Sequence, residues 1–224
     1  MKKLSIIIPV RNRNIFPLLH SLAKYERDIE VIPVYYNSGL WNISRAANIG
    51  IRGSHGELVA KVDADLIIPD GFIDDVLSAG KCFGVAPVIM LGKGDSFEAA
   101  SYLPVHRPPD GSVNYWPCGG WQSAPRDFWF DIHGYDEDMI LYGAEDTDMM
   151  NRAAHSGLKC EVFHPIPHCW HDSQAGKHTF FHRGNARMRE ARIEMPVRNR
   201  KGWGGNAPRP GLEFCRWALN ALSC

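Results

Sequence analysis

The sequence predicts an α/β fold built on a mainly parallel central sheet, and three observations carry that expectation. Continuous apolar, β-rich runs such as LSIIIPV (4–10) recur, the pattern that burial on both faces of a strand demands. These runs alternate with helically spaced segments over the first ninety residues, as βαβ units do. One run, LVAKVDADLIIP (58–69), closes on Asp63 and Asp65, which places acids at the mouth of a central strand, where open α/β sheets bind ligands.

LSIIIPV is the first strand. A helix is expected from about Ile15 to Tyr25, with Leu18, Leu19 and Leu22 at helical spacing. EVIPVYY (30–36) is the second strand. NISRAANIGI (42–51) reads as a helix with Asn42 or Ser44 near its start and Gly50 near its end. GELVAKVD (56–63) is the third strand, GFIDDVLSAG (71–80) a short helix stopped by Gly80, and CFGVAPVIM (82–90) a fourth strand. LPVHRPPDGSVNYWPCGGWQSAPRD (103–127) is loop-rich and aromatic, suited to lining a cleft. A helix is expected from about Glu145 to His155, with Gly157 as its stop. LKCEVFHPIPHCWH (158–171) is a strand running into a His-rich turn. Beyond Lys177 the sequence supports one helix near FFHRGNARMREARIEM (180–195) and a Gly/Pro-rich loop, KGWGGNAPRPG (201–211).

At 224 residues, 45% apolar and 22% charged, the chain suffices for one sizeable core. Lys plus Arg equals Asp plus Glu at 25 each, so whole-chain charge points to no acidic partner. The distribution is uneven: from Lys177 onward ten basic residues face three acidic ones, a net of +7 against −7 for residues 1–176. Such a tail either holds phosphates or forms a solvated basic surface. The opening MKKLSIIIPVRNR superficially resembles a signal peptide. Its apolar run spans only Leu4–Val10, contains Pro9 and leads into Arg11 without a small-residue cleavage site. No stretch approaches the ~20 apolar residues of a membrane span. The six cysteines form no CxxC pair, and a reduced, cytoplasmic protein is expected.

Three constellations carry chemistry. In VDAD, residues i and i+2 of a strand point the same way, so Asp63 and Asp65 are expected to project together beyond its end. Two such carboxylates repel unless a cation lies near, and oxygen ligands suit Mg²⁺ or Mn²⁺; two hydrated acids in an exposed turn are the alternative. In YGAEDTD, Glu145, Asp146 and Asp148 occupy a first helical turn, where the helix dipole alone favours acids. Asp146, Met149 or Met150, and Ala153 trace one face, while Asp148 should face elsewhere as ordinary surface. In and around PIPHCWHDSQAGKH, five histidines at 164, 168, 171, 178 and 182 invite a zinc reading, against which no second spaced Cys/His pair is present.

LSIIIPVRNR, SRAANIGIRGSHGELVAKVDADLIIPDGF and GYDEDMILYGAEDTDMMNRAAHSGLKCEVF occur in this order. Together they resemble the GT-A nucleotide-sugar glycosyltransferases, most closely the inverting, family-2-like enzymes, with a galactosyltransferase-like G-x-E-D motif. The resemblance covers roughly Leu4 to Lys177. It implies a Rossmann-like GT-A domain over residues 1–176, with a nucleotide-binding half to about residue 95 and an acceptor-side half beyond it. Residues 177–224 would be a basic C-terminal extension packing on the site or closing over it.

The resemblance also implies roles. Asp65 would be the direct metal ligand, and Asp63 would contact the ribose or a metal-bound water. Asp146 would be the general base, with Glu145 hydrogen-bonding the acceptor. His171 would be a further metal ligand, or else His168, and a nitrogen ligand beside carboxylate oxygen favours Mn²⁺ over Mg²⁺. Pro9, Arg11 and Asn12 would contact base and ribose. Asn37 stands where relatives carry a uracil-binding Asp, a departure that leaves the base open with UDP the favoured donor. Arg45 matches a position that approaches the nucleotide, and Asn48 one that ties backbone together. Gly119 and Gly120 would allow close backbone approach, and Trp121 would either face a sugar ring or fill the core. Lys177 or Arg183 would neutralise phosphate, with GWGG (202–205) as hinges.

The expected function is therefore metal-dependent, inverting transfer of a sugar from a UDP-sugar to a hydroxyl acceptor, a glycan foremost. Two alternatives stay open at this level: glycosylation of hydroxymethylated DNA bases, which the basic tail motivates, and a non-catalytic sugar-nucleotide or glycan-binding module.

Overall fold

A computed structural model describes residues 2–36, 40–93, 119–141, 143–171, 179–192, 194–199 and 202–205. Strand β1 (Leu4–Val10) is buried along its whole length. Helix α1 (Phe16–Leu22) follows, running into a 3-10 turn at Ala23–Tyr25, then β2 (Ile29–Tyr35), α2 (Ile43–Gly53), β3 (Leu58–Val62), α3 (Phe72–Ala79), β4 (Phe83–Ala86) and β5 (Val88–Met90). The second half contributes β6 (Trp121–Pro125), α4 (Arg126–Asp131), α5 (Glu145–His155), β7 (Cys160–Val162), β8 (Ile166–His168) and α6 (Thr179–Ala191).

Six strands form one sheet in the order β2-β1-β3-β6-β4-β7, with β5 and β8 paired separately. All its pairings are parallel except those of β6, which runs antiparallel between β3 and β4. The α/β expectation holds, with two corrections. The segment read as loop-rich from 103 to 127 contains a central strand, because Trp121 and Ala124 fit between two buried strands despite the short, mixed sequence WQSAP. The single strand expected over 82–90 is broken at Pro87, which has no N–H to offer a ladder. After it the chain changes sheets, and the Pro87 carbonyl accepts from Ile166 N at 2.8 Å.

Alternation on the strands builds a core on each face of the sheet. Leu4, Ile6, Ile8, Ala60 and Val62 meet Leu18 and Leu22 of α1 and Phe72, Ile73 and Val76 of α3. Ile7, Val59, Val85 and Ala124 meet Ala47 and Ile51 of α2, Trp129 of α4, and Met149 and Ala153 of α5. Helix α2 starts where Asn42 accepts from Arg45 N at 2.8 Å, so Asn42 is the cap. It lies so close to β1 that a Cβ on Gly50 would stand 2.2 Å from Ile7 Cγ2. Asn48 ties backbone as expected: its amide donates to Tyr135 O and accepts from Tyr135 N. Among the described residues no helix is long and apolar enough to cross a membrane.

Part of the C-terminal extension is docked on this domain. Asn185 of α6 donates to Ile140 O and Gly143 O, holding the turn that leads into α5. Asn199 accepts from Glu137 N and donates to His133 O and Tyr135 O. In GWGG, Arg52 donates to Trp203 O and Gly204 N donates to Glu137 Oε1, so this segment is seated on α2.

Candidate active site

The site gathers at the C-terminal edge of β1 and β3. Because β6 is antiparallel, its lead-in Gly119–Gly120 arrives at that same edge, opposite the end of β3 through the Val62–Trp121 pair. Gly120 O accepts from Asp63 N at 2.9 Å. Helix α5 brings its N-terminus there through a tight approach in which Leu141 and Ala144 take positive φ, 62° and 75°. That conformation is strained for residues bearing a Cβ.

The paired aspartates have different side-chain partners. Strand β3 ends at Val62 and a turn follows, so the period of two lapses and the carboxylates diverge. Asp63 Oδ1 lies 2.8 Å from Lys61 Nζ. Asp65 instead meets His168 Nε2 at 3.1 Å, His171 Nε2 at 3.2 Å and Arg13 Nε at 3.0 Å. Burial works to raise the Asp65 pKa, but His168, His171 and Arg13 outweigh it and hold the carboxyl below its ordinary value. Burial lowers and Asp65 raises the His168 pKa, and the rise wins. Asp63 goes the other way: burial, with the nearby Asp146 and Asp65 charges, lifts its pKa against the pull of Lys61.

Asp65, His168 and His171 each present a ligand atom within 4.8 Å of the others. One carboxylate oxygen with two imidazole nitrogens fits a borderline dication such as Mn²⁺ better than Mg²⁺, which takes oxygen. Both histidines weighed from the sequence reach Asp65, so neither displaces the other. Arg13 Nη2 also approaches His171 Nδ1 at 3.2 Å.

Asp146 stands across the edge from this cluster. Its Oδ1 is 3.3 Å from Lys61 Nζ, its backbone carbonyl accepts from Gln122 Nε2 at 3.0 Å, and its side chain remains 28% exposed, open to a reactant. Glu145 is nearly buried; desolvation first, then the Asp146 charge, push its pKa up to about 8. A neutral carboxyl donates as well as accepts a hydrogen bond.

Other expected site residues fall as follows. Pro9 is a buried β1 residue, and Arg11 is exposed with its guanidinium 5.9 Å from the Trp41 ring centre. Asn12 turns the chain at the strand exit with φ 52°. Arg45 is buried and donates to Gly205 O at 2.7 Å. Asn37 and Lys177 lie outside the described residues, and Arg183 is an exposed residue of α6. Trp121 is corrected: it is fully buried against Phe72, with ring centres 4.9 Å apart, and has no face to offer a sugar. Gly120 is packed, not open; a Cβ there would meet Val88 Cγ1 at 2.5 Å. Asp148 is not surface but buried between Arg198 at 2.9 Å and Arg152 at 3.4 Å.

Sequence reasoning passed over Lys61 and Arg13. Lys61 carried a readable signal, a lone charge inside a buried strand at i−2 from Asp63. Arg13 carried none that set it apart from Arg11.

The family model described as the N-terminal domain of galactosyltransferase matches residues 105–174, a span that includes Gly119, Asp146, His168 and His171. Among solved structures, the chain resembles the catalytic domain of Drosophila β1,4-galactosyltransferase 7 complexed with xylobiose, at 16% identity and TM-score 0.52, over 72% of this chain and 65% of that one. It resembles S. aureus TarS 1–349 at 17% identity and TM-score 0.53, and the UDP complex of that fragment at 18% and 0.54, each over 75% of this chain and 60% of the other. No curated protein matches. The class these findings define is the GT-A glycosyltransferase fold. Within it, the chain spans 60–65% of the length of these three solved structures.

Proposed function

We infer that the protein is a metal-dependent, inverting glycosyltransferase that moves a sugar from a nucleotide sugar, with UDP as the nucleotide, to a hydroxyl of a glycan acceptor. One observation carries this reading: a carboxylate–imidazole cluster (Asp65, His168, His171) and an accessible carboxylate at a helix N-terminus (Asp146) converge on the ligand-binding edge of a GT-A sheet. UDP in the TarS complex and xylobiose in the galactosyltransferase complex agree with the donor and acceptor classes.

A dication held by Asp65, His168 and His171 would supply Lewis-acid neutralisation of the departing diphosphate. The chain's own groups do the rest. Asp146 accepts the proton of the acceptor hydroxyl as that oxygen bonds to the anomeric carbon; the bond from that carbon to the diphosphate oxygen breaks on the opposite face, and the nucleoside diphosphate leaves with the electron pair. Glu145, kept neutral, orients the acceptor by hydrogen bonding. Asp63 faces the donor ribose, and Arg13 is placed to follow the diphosphate charge.

The decisive experiment is thermal melting with a panel of nucleotides and nucleotide sugars, with and without Mn²⁺, followed by assay of UDP release onto glycan acceptors. Ligands that bind only the folded state raise its stability by mass action, so UDP with Mn²⁺ should raise Tm above either alone. No response to any nucleotide in either condition would overturn the reading. In the same assay, Asp65→Ala should lose the Mn²⁺-dependent part of UDP affinity, by more than the roughly 10–100-fold typical of removing an outer-sphere partner.

Gly119 gives a sharper geometric test. A Cβ there would stand 2.0 Å from Asp146 Oδ2. The carboxylate has to swing off that position and away from Lys61, so Gly119→Ala should fold with a lowered Tm while transfer falls about 10²-fold, the scale of a 1 Å misplacement. Unchanged kcat in a normally folded Gly119→Ala would show that Asp146 need not sit where it does.

A further inference from the structure

Lys61 is 1% exposed near the end of a buried strand, an expensive place for an ammonium unless every one of its protons is used. Every one is: Nζ reaches Gly119 O at 2.8 Å, Asp63 Oδ1 at 2.8 Å and Asp146 Oδ1 at 3.3 Å. It thereby joins three elements, the end of β3, the lead-in to β6 and the first turn of α5. We propose that Lys61 is a positioning residue of the transfer reaction, the fixed internal cation that aims the Asp146 carboxylate at the acceptor hydroxyl and draws Asp63 away from Asp65. This rests on the glycosyltransferase reading for the reaction itself, but the pinning of Asp146 stands on these contacts alone.

Asp146 is faced by Lys61 from β3, by Asp63 just past its end, by Glu145 from its own helix, and by the Tyr135 hydroxyl, which donates to Gln122 Oε1. Among the described residues, removing Lys61 leaves Asp146 facing Asp63 and Glu145, and takes from Asp63 the ammonium it is paired with. Burial works against the charge on Lys61, yet the carboxylates prevail and keep its pKa well above the ordinary lysine value, so the cation persists at any working pH. A metal bound at Asp65 can leave during a catalytic cycle; a strand lysine cannot.

The test pairs Lys61→Met with Asp146→Asn and the double variant. Lys61→Met should lower kcat at least about tenfold while KM for the donor changes less than about threefold. The acid limb of its pH–kcat profile should move up, because losing an opposite charge at this range favours the protonated carboxyl. The double variant should be no slower than Asp146→Asn alone, because residues acting as one unit are non-additive. An unmoved acid limb, or losses that simply multiply in the double variant, would overturn the proposal, since a merely structural lysine predicts both. Should Lys61→Met not fold, Lys61→Gln replaces it, keeping a donor and removing the charge.

A carboxyl NMR titration of Asp146 in wild type and variant separates this proposal from the reaction it serves. If the wild-type protein transfers no sugar but the Asp146 titration rises in the variant, the glycosyltransferase reading fails and the Lys61–Asp146 coupling holds. If transfer is robust and the titration is unmoved, the reverse is true.

Discussion

Asp146→Asn should lower transfer by about 10²–10⁴-fold, the usual contribution of general-base catalysis, while Mn²⁺-dependent UDP binding stays within about threefold of wild type. The amide keeps the shape of the carboxylate and its contact with Lys61 becomes weaker, but it cannot take a proton. The prediction is specific because Asp146 touches none of Asp65, His168 and His171, the cluster that would hold the metal. The measurement is steady-state kcat alongside calorimetric UDP affinity. Wild-type turnover in Asp146→Asn would move the base elsewhere, with Glu145 the next group to test.

Asp148→Ala should produce the largest loss of stability of any single change near the site, on the order of 3–5 kcal/mol. Asp148 is two residues from the base, yet it is 1% exposed and faces the interior. Its Oδ1 takes Arg198 at 2.9 Å and its Oδ2 takes Arg152 at 3.4 Å. Arg152 in turn caps the carbonyls of Ile132, Gly134 and Pro196. Removing the carboxylate leaves two buried guanidinium groups facing one another with no anion between them. Burial already lowers the Arg152 pKa to about 10 against the help of Asp148. Chemical denaturation reads the loss directly, and a midpoint shift within error of a surface substitution would show that the two arginines find other partners. Because Arg198 belongs to the C-terminal extension, the same variant should also loosen residues 194–199 from the domain.

Much of the fold was legible because its signals are local. The unbroken apolar run of β1, the Asn42 cap of α2 and the acids opening α5 each depend on neighbours within a turn or two, and each stands where the residues placed it. Strand β6 was not legible: WQSAP is short and mixed, and its burial comes from the two strands that flank it. Trp121 misled for the same reason, since a tryptophan beside two glycines reads alike in a sugar-binding loop and in a core. Asp148 misled because helix periodicity says which residues share a face but not which face meets a buried arginine, Arg198, from a distant segment.

By itself the sequence determined the alternation of strands and helices, the place of Asp63 and Asp65 at a strand mouth, and the acidic first turn carrying Asp146, since periodicity and capping are written in residues close along the chain. Only the tertiary structure decided how those acids are compensated. Lys61 reaches Asp146 across 85 positions and Arg13 reaches Asp65 across 52. Electrostatic partnership falls off with distance in space, not with separation along the chain, so a cation's partner is settled only when sheet order and strand direction bring distant segments to the same edge.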